Sequence, residues 1–213
     1  MRIGMDIDDT TFVTVNAMIK YADIYHSQVL ERKIDKNSLG LIRNRYYLKA
    51  IYGWNDEEKF GFFDRYYKDV LKECKMIEDA NTVCQKLKER GHKIYFITAR
   101  LTNIKNCPTE EITKQSLKEN HIPYDRLIIN ASDKLTVAKE NGIDVFIEDS
   151  YDTCKELSEN GIKSILMTTK MNQDIDQGSI VRVKNWKEIY EEILNMLQKS
   201  IGTNNIPFYF EDY

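Results

Sequence analysis

Four apolar stretches of this 213-residue chain are each followed by residues that could handle a phosphoryl group. The polar groups are Asp6-Ile7-Asp8, Thr98-Ala99-Arg100, Asp133-Lys134 and Glu148-Asp149. Clustered carboxylates repel one another, and a divalent cation between them relieves that repulsion. Oxygen ligands favour Mg²⁺, which pairs one or two carboxylates with a substrate phosphate. With Thr98 and Lys134 as donors to phosphoryl oxygens, the set indicates phosphoryl transfer to an aspartate nucleophile.

These groups can meet only if the apolar stretches are strands of one sheet. Buried strands are predicted at 93–98, 126–130, 144–148 and 164–168, with 3–7 as a further strand at the sheet centre. Helical segments separate them, and three of these end at a glycine that suits a helix C-cap: Gly91, Gly142 and Gly161. The alternation predicts a doubly wound α/β fold around a parallel sheet. Such sheets bind ligands at the carboxyl ends of their strands.

Residues 14–75 break this alternation. Their patterns predict helices near 17–29, 39–52 and 56–75, and no strand of the sheet type. We therefore expect a helical cap at 14–75, inserted into an α/β core made of 1–13 and 76–199. Residues 200–213 would form a C-terminal arm, which is packed, flexible or the contact of a homodimer.

Aromatic residues concentrate in the predicted cap. We interpret most of them as its core, and the alternative is that one or two stack on a flat substrate group. The residues concerned are Tyr46, Tyr47, Trp54, Phe62, Phe63, Tyr66 and Tyr67.

Composition excludes several classes of protein. The chain carries 31 Lys and Arg against 34 Asp and Glu, a net charge of −3, which argues against binding a nucleic-acid polymer. Asp6 interrupts the N-terminus too early for a signal peptide, and no apolar run approaches the roughly 20 residues of a spanning helix. Cys84 and Cys154 fall on apolar helical stripes, as buried free thiols would. We expect a cytoplasmic protein without a membrane partner.

The motifs together resemble a known superfamily. Asp6-Ile7-Asp8-Asp9-Thr10, Thr98, Lys134 and Glu148-Asp149 are similar, in kind and order, to the four motifs of the haloacid dehalogenase-like (HAD) phosphohydrolases. The helical insert resembles the C1-type cap of that superfamily, whose core is Rossmann-like. Within it, the stretches 96–100, 121–127 and 133–134 resemble the 5′(3′)-deoxyribonucleotidase type C group and related bacterial nucleotidases. The resemblance covers about residues 1–195.

The resemblance implies a role for each matched carboxylate. Asp6 would attack phosphorus and become an aspartyl-phosphate, while Asp8 would protonate the leaving oxygen and then activate water. Asp6, the backbone carbonyl of Asp8 and Asp149 would hold Mg²⁺, with Glu148 behind them or bridged through water.

The resemblance also implies which groups hold the substrate. Thr98 and Lys134 would bind the phosphoryl group. Arg100 is a further candidate substrate contact, and a structural ion pair is the alternative for it. The expected substrate is a small phosphorylated metabolite, in the first place a nucleoside 5′-monophosphate, with a sugar phosphate as the alternative.

Other classes of protein share parts of this pattern. A receiver domain would place its acceptor Asp on a later strand and would have no helical insert. P-loop kinases and Rossmann dehydrogenases are disfavoured because neither glycine motif occurs in the chain. Asp8 favours a phosphatase over a dehalogenase, which does not need the second aspartate. A non-catalytic phosphate-binding or scaffolding module stays as the alternative of another kind, although every motif residue is present.

Overall fold

The computed structural model describes residues 1–34 and 47–201. Its helices are α1 (Val15–Ile24), α2 (Tyr47–Tyr52), α3 (Asp56–Glu73), α4 (Ala80–Glu89), α5 (Thr109–Glu119), α6 (Lys134–Glu140), α7 (Tyr151–Glu159) and α8 (Trp186–Ile201). A π-helical turn, Tyr25–Val29, extends α1. The strands are β1 (Arg2–Met5), β2 (Phe12–Val13), β3 (Lys75–Met76), β4 (Lys93–Ile97), β5 (Arg126–Ile128), β6 (Val145–Glu148), β7 (Lys163–Met167) and β8 (Val181–Val183).

Six strands form one parallel sheet in the order β5-β4-β1-β6-β7-β8. β1 lies at its centre, with Met5 in register with Phe96 of β4 and Ile147 of β6. The predicted α/β class and the central first strand are therefore confirmed. The sequence patterns did not predict β8, because it has only three residues and the middle one is Arg182.

Helices cover both faces of the sheet. Ile3 and Met5 point to a buried cluster that includes Leu87 of α4 and Trp186 and Ile193 of α8. On the other face, alternate strand residues such as Phe146 pack with Ala138 of α6 and Leu157 of α7. The predicted terminal helix thus docks on the core, as its apolar stripe indicated. Gly91, Gly142 and Gly161 follow three of these helices with positive φ values, the conformation predicted for them.

The segment between β2 and β3 is helical where the structure describes it. Helices α1 and α3 pack together around an aromatic cluster in which Trp54 lies 5.3 Å from Tyr25 and 5.2 Å from Phe62, between ring centroids. Most aromatic residues in the described part of this segment are therefore core residues of a small helical module. The two ends of the segment meet in the antiparallel pair β2–β3, which the sequence did not predict because each strand has two residues.

Two parts of the predicted organisation lie outside the described residues. Residues 39–46 of the predicted second helix lie among the undescribed residues 35–46, and the structure describes the rest of that helix, Tyr47–Tyr52. Residues 202–213 make up most of the predicted arm. The boundaries of core, cap and arm stay predictions. None of the helices in the described part of the chain is long and apolar enough to cross a bilayer.

Candidate active site

A cleft of about 370 Å³ opens at the carboxyl ends of the central strands. Each of its chemical groups follows a different strand: Asp6 follows β1, Thr98 follows β4, Lys134 begins the helix after β5, and Asp149 follows β6. The cleft is lined by six of the seven candidate site residues, Asp6, Asp8, Thr98, Arg100, Lys134 and Asp149. The seventh, Glu148, is buried and accepts from Lys134 and from two backbone amides, as described below.

The loop after β1 holds Asp6 in a fixed backbone position. Its amide donates to the carbonyl of Ile147 at 2.9 Å, and its carbonyl accepts from the Thr11 hydroxyl at 2.7 Å. Asp9 turns the chain with φ 55°, and its carboxylate accepts from the amides that begin α1, those of Thr14 and Val15. Asp9 therefore orders this loop, so the nucleophile candidate sits on a rigid turn.

Lys134 lies between two carboxylates. Its Nζ is 2.7 Å from Asp6 Oδ1 and 2.5 Å from Glu148 Oε2, and its side chain is 11% exposed. Asp133 starts the helix beneath it, because its carboxylate accepts from the Thr136 amide at 2.9 Å. Burial works against the ammonium, but the two carboxylates outweigh burial and raise the pKa of Lys134. Lys134 is thus a charged cation at the floor of the cleft.

Three carboxylates converge on this floor. Oxygen atoms of Asp6, Glu148 and Asp149 all lie within 4.8 Å of one another. Burial, and then the neighbouring acids, raise the pKa of Asp149 well above its usual range, and burial raises that of Asp6 to about 7 although Lys134 opposes it. One lysine therefore leaves negative charge uncompensated. An all-oxygen donor set with excess negative charge fits Mg²⁺.

Glu148 also has a role in positioning its neighbour. Its Oε1 accepts from the amides of Asp149 at 3.2 Å and Ser150 at 3.0 Å, while its Oε2 accepts from Lys134. Glu148 therefore contacts both Lys134 and the backbone that carries Asp149. The predicted ligand from Asp8 is its backbone carbonyl, which the side-chain cluster does not test.

Arg100 is paired with Asp8. Its Nη2 lies 2.8 Å from Asp8 Oδ1, and its Nε lies 3.1 Å from each carboxylate oxygen. Thr14 adds a 2.6 Å hydrogen bond to the same Oδ1. Although burial opposes ionisation, Arg100 outweighs it and lowers the pKa of Asp8. Of the two interpretations of Arg100 that the sequence left open, the structure contains the ion pair.

One polar residue of the cleft, Asn172, could not be recognised from a motif or pattern in the sequence. Asn172, in the loop after β7, donates from its side chain to the carbonyls of Asp149 and Met167, both at 2.7 Å. Its Oδ1 accepts from Arg182 at 2.8 Å. Asn172 thus ties the Asp149 backbone to the outer part of the sheet. A single polar residue in an irregular loop has no periodicity, so only the folded structure could identify it.

The wall of the cleft is largely apolar. Phe63 and Tyr67 contribute from α3, in the helical segment between β2 and β3, and the Tyr67 hydroxyl accepts from the Leu101 amide at 3.3 Å. The other apolar residues are Met18, Ala99, Leu101, Met171 and Ile175. A charged floor with an apolar wall suits a phosphate ester that carries a hydrophobic or flat group.

Comparisons with known proteins agree with this arrangement. Residues 1–199 match the model of a family described as 5′ nucleotidase, deoxy (Pyrimidine), cytosolic type C protein. The nucleotidase CA_C3379 of Clostridium acetobutylicum is 29% identical over 201 residues, which cover 94% of this chain and 97% of that protein.

Solved structures share the fold. A crystal structure described as a predicted phosphatase from Clostridium acetobutylicum superposes with a TM-score of 0.69 at 16% identity, over 91% of this chain and 98% of that one. The haloacid dehalogenase-like hydrolase SP0104 of Streptococcus pneumoniae superposes with a TM-score of 0.66 at 15% identity, over 92% of this chain and 98% of that one. The core therefore has the HAD fold.

Proposed function

This chain belongs to the cytosolic type C 5′ nucleotidase family and is a phosphoric monoester hydrolase, and we propose that it hydrolyses nucleoside 5′-monophosphates through an aspartyl-phosphate at Asp6. The observation that carries the proposal is the position of Asp6: a buried carboxylate on a rigid turn, beside a lysine, at the floor of a cleft with an apolar wall. The site thereby combines a nucleophile, a cation that can bind phosphate and room for a nucleoside.

The first step transfers the phosphoryl group to Asp6. An Asp6 oxygen forms a bond to phosphorus, the bond from phosphorus to the ester oxygen breaks, and the departing oxygen takes the bonding pair and a proton from Asp8. In the second step Asp8 removes a proton from water, whose oxygen attacks phosphorus. The bond to Asp6 then breaks, and inorganic phosphate leaves.

Lys134 and Thr98 act on the phosphoryl oxygens in both steps. Lys134 stands 2.7 Å from the Asp6 carboxylate, so its ammonium is next to the atom that would bond to phosphorus. The Thr98 hydroxyl lines the same cleft. Both are fixed before substrate binds, which is the condition for electrostatic stabilisation without reorganisation.

The carboxylate cluster supports Mg²⁺ as the metal of the proposed reaction. Asp6, Asp149 and the Asp8 carbonyl would hold Mg²⁺, and Glu148 would lie behind them or contact the ion through water. When bound, Mg²⁺ would neutralise charge on the phosphoryl oxygens and on the carboxylates. The excess of acids over lysine at the cleft floor supports this requirement.

The biological setting is part of the same proposal. The partner is a small phosphorylated metabolite, and buried free thiols such as Cys84 and Cys154 suit a reducing, cytoplasmic location. A homodimer contact through the C-terminal arm stays a prediction, because that arm lies almost wholly outside the described residues.

A substrate panel tests the proposal. Purified protein would be assayed on p-nitrophenyl phosphate with Mg²⁺ and with EDTA, and Asp6→Asn would be assayed beside it. We expect activity only in the wild type with Mg²⁺. The panel then compares nucleoside monophosphates, sugar phosphates and phospholipid head-group phosphates. Equal rates with and without metal would refute the metal requirement, and a sugar phosphate that exceeds every nucleotide in kcat/KM would refute the substrate class.

A further inference from the structure

Arg100 makes more contacts with Asp8 than a surface ion pair would. Its side chain is 1% exposed, while that of Asp8 is 31% exposed and faces the cleft. Nε and Nη2 of Arg100 both donate to the Asp8 carboxylate. A planar guanidinium that binds a carboxylate through two nitrogens fixes the orientation of the carboxylate as well as its charge.

Further hydrogen bonds hold Arg100 in place. Its Nη1 donates to the Thr113 hydroxyl at 3.0 Å, and that hydroxyl donates to the Thr109 carbonyl at 2.7 Å, within α5. Its amide donates to Thr98 Oγ1 at 3.3 Å. The guanidinium therefore has a fixed position relative to the strand end that carries Thr98.

A hydrogen bond from a different part of the chain also holds Asp8. The Thr14 hydroxyl, at the start of α1, donates to Asp8 Oδ1 at 2.6 Å. Asp8 is thus held between the end of β4 and the first residues of the cap. The remaining solvent-accessible part of its carboxylate is directed to the cleft.

These contacts argue against Arg100 as a phosphate ligand. Nε, Nη1 and Nη2 each have a protein acceptor, and almost none of the side chain reaches solvent. Lys134, by contrast, is 11% exposed and stands beside Asp6. Arg100 acts on the residue that exchanges protons rather than on the substrate.

We propose that Arg100 is a positioning residue for Asp8, which orients its carboxylate toward the leaving oxygen. The inference rests on the proposed function, because it needs Asp8 as the proton donor. In the first step the ester bond to phosphorus breaks, the leaving oxygen gains the bonding pair and the Asp8 proton, and Arg100 stays bonded to the resulting carboxylate.

The leaving group supplies the test. Wild type, Arg100→Met and Arg100→Lys would be assayed on p-nitrophenyl phosphate and on benzyl phosphate. Both esters carry one ring, but p-nitrophenolate leaves without a proton, whereas benzyl alcohol needs one. Because kcat/KM includes only the steps through aspartyl-phosphate formation, it isolates the proton donation. Comparing two substrates on one preparation also removes any loss of folded protein.

We expect Arg100→Met to lower kcat/KM on benzyl phosphate about tenfold or more beyond its effect on p-nitrophenyl phosphate, within the range of general acid catalysis. Arg100→Lys, which keeps the charge without the two-pronged contact, should recover part of this loss. Lys88→Met is the matched control: it removes the 2.7 Å partner of Asp125 at the opposite end of β4, and should not change the ratio.

Three other outcomes would contradict the inference, the last of them together with the proposed function. Equal losses on both substrates would overturn the inference and indicate a structural role. A rise in KM on both substrates with kcat unchanged would also overturn it, in favour of a phosphate contact. If the wild type hydrolyses neither ester with Mg²⁺, the proposed function itself fails, and the inference fails with it.

Discussion

Replacing Lys134 with methionine should separate the two tasks of the cleft floor, which are holding metal and binding phosphate. Lys134 is the cation that contacts both Asp6 and Glu148, and Asp149 lies in the same carboxylate cluster. Methionine fills a similar volume but leaves these carboxylates without their ammonium partner. Stability without metal should therefore fall, whereas the attraction of the site for Mg²⁺ should rise.

The size of the loss can be bounded. Removing one member of a buried ion pair costs about 3–5 kcal/mol, and the 11%, 7% and 2% exposure of the Lys134, Asp6 and Glu148 side chains places the cluster in that class. We expect Lys134→Met to lower the free energy of unfolding by about 3–4 kcal/mol, which corresponds to a Tm roughly 10 °C lower in EDTA.

Thermal unfolding with EDTA and with Mg²⁺, together with phosphatase assays, measures both tasks. Mg²⁺ should raise the Tm of Lys134→Met more than that of the wild type, while kcat/KM at saturating Mg²⁺ stays lower by about 100-fold or more. Lys139→Met, on the exposed side of the same helix, should change the free energy of unfolding by less than about 0.5 kcal/mol. An unchanged Tm of Lys134→Met in EDTA, or a Mg²⁺ effect no larger than in wild type, would refute this reasoning.

Two further substitutions test parts of the structure that the motifs do not include. Asn172→Ala removes the donor to the Asp149 carbonyl, so half-maximal activity should require about 10–100-fold more Mg²⁺; an unchanged metal titration would contradict this role. Gly4→Ala would place a Cβ 2.6 Å from Phe146, in the sheet core, and should lower the free energy of unfolding by about 1–3 kcal/mol in urea titrations. Wild-type stability in that variant would mean that the packing against β1 is looser than described.

The parts of the fold that were predictable each carry their own local signal. β1 and the strands beside it are apolar runs bounded by polar residues, and α8 has a continuous apolar stripe. The candidate site followed from the same signal, because parallel strands bring their carboxyl ends to one edge of a sheet. Four motifs far apart in sequence therefore converge without any knowledge of side-chain contacts.

The rest depends on long-range contacts. Arg100 and Asp8 are separated by 92 residues, so no pattern could choose between an ion pair and a substrate contact. The cap aromatics pose the same difficulty: Phe62 and Phe63 are neighbours on α3, yet Phe62 is buried in the helical module and Phe63 lines the cleft. Adjacent positions on a helix differ by about 100° in direction, so helix packing decides the role of each.

The central claim is that Asp6 becomes covalently phosphorylated, and trapping that intermediate is its most direct test. The protein would be mixed with a nucleoside monophosphate and Mg²⁺, quenched in acid within the turnover time, and digested for mass spectrometry. The account predicts a phosphoryl group on Asp6 in the wild type and none in Asp6→Asn. A phosphoryl group on another residue, or an active Asp6→Asn protein, would contradict it.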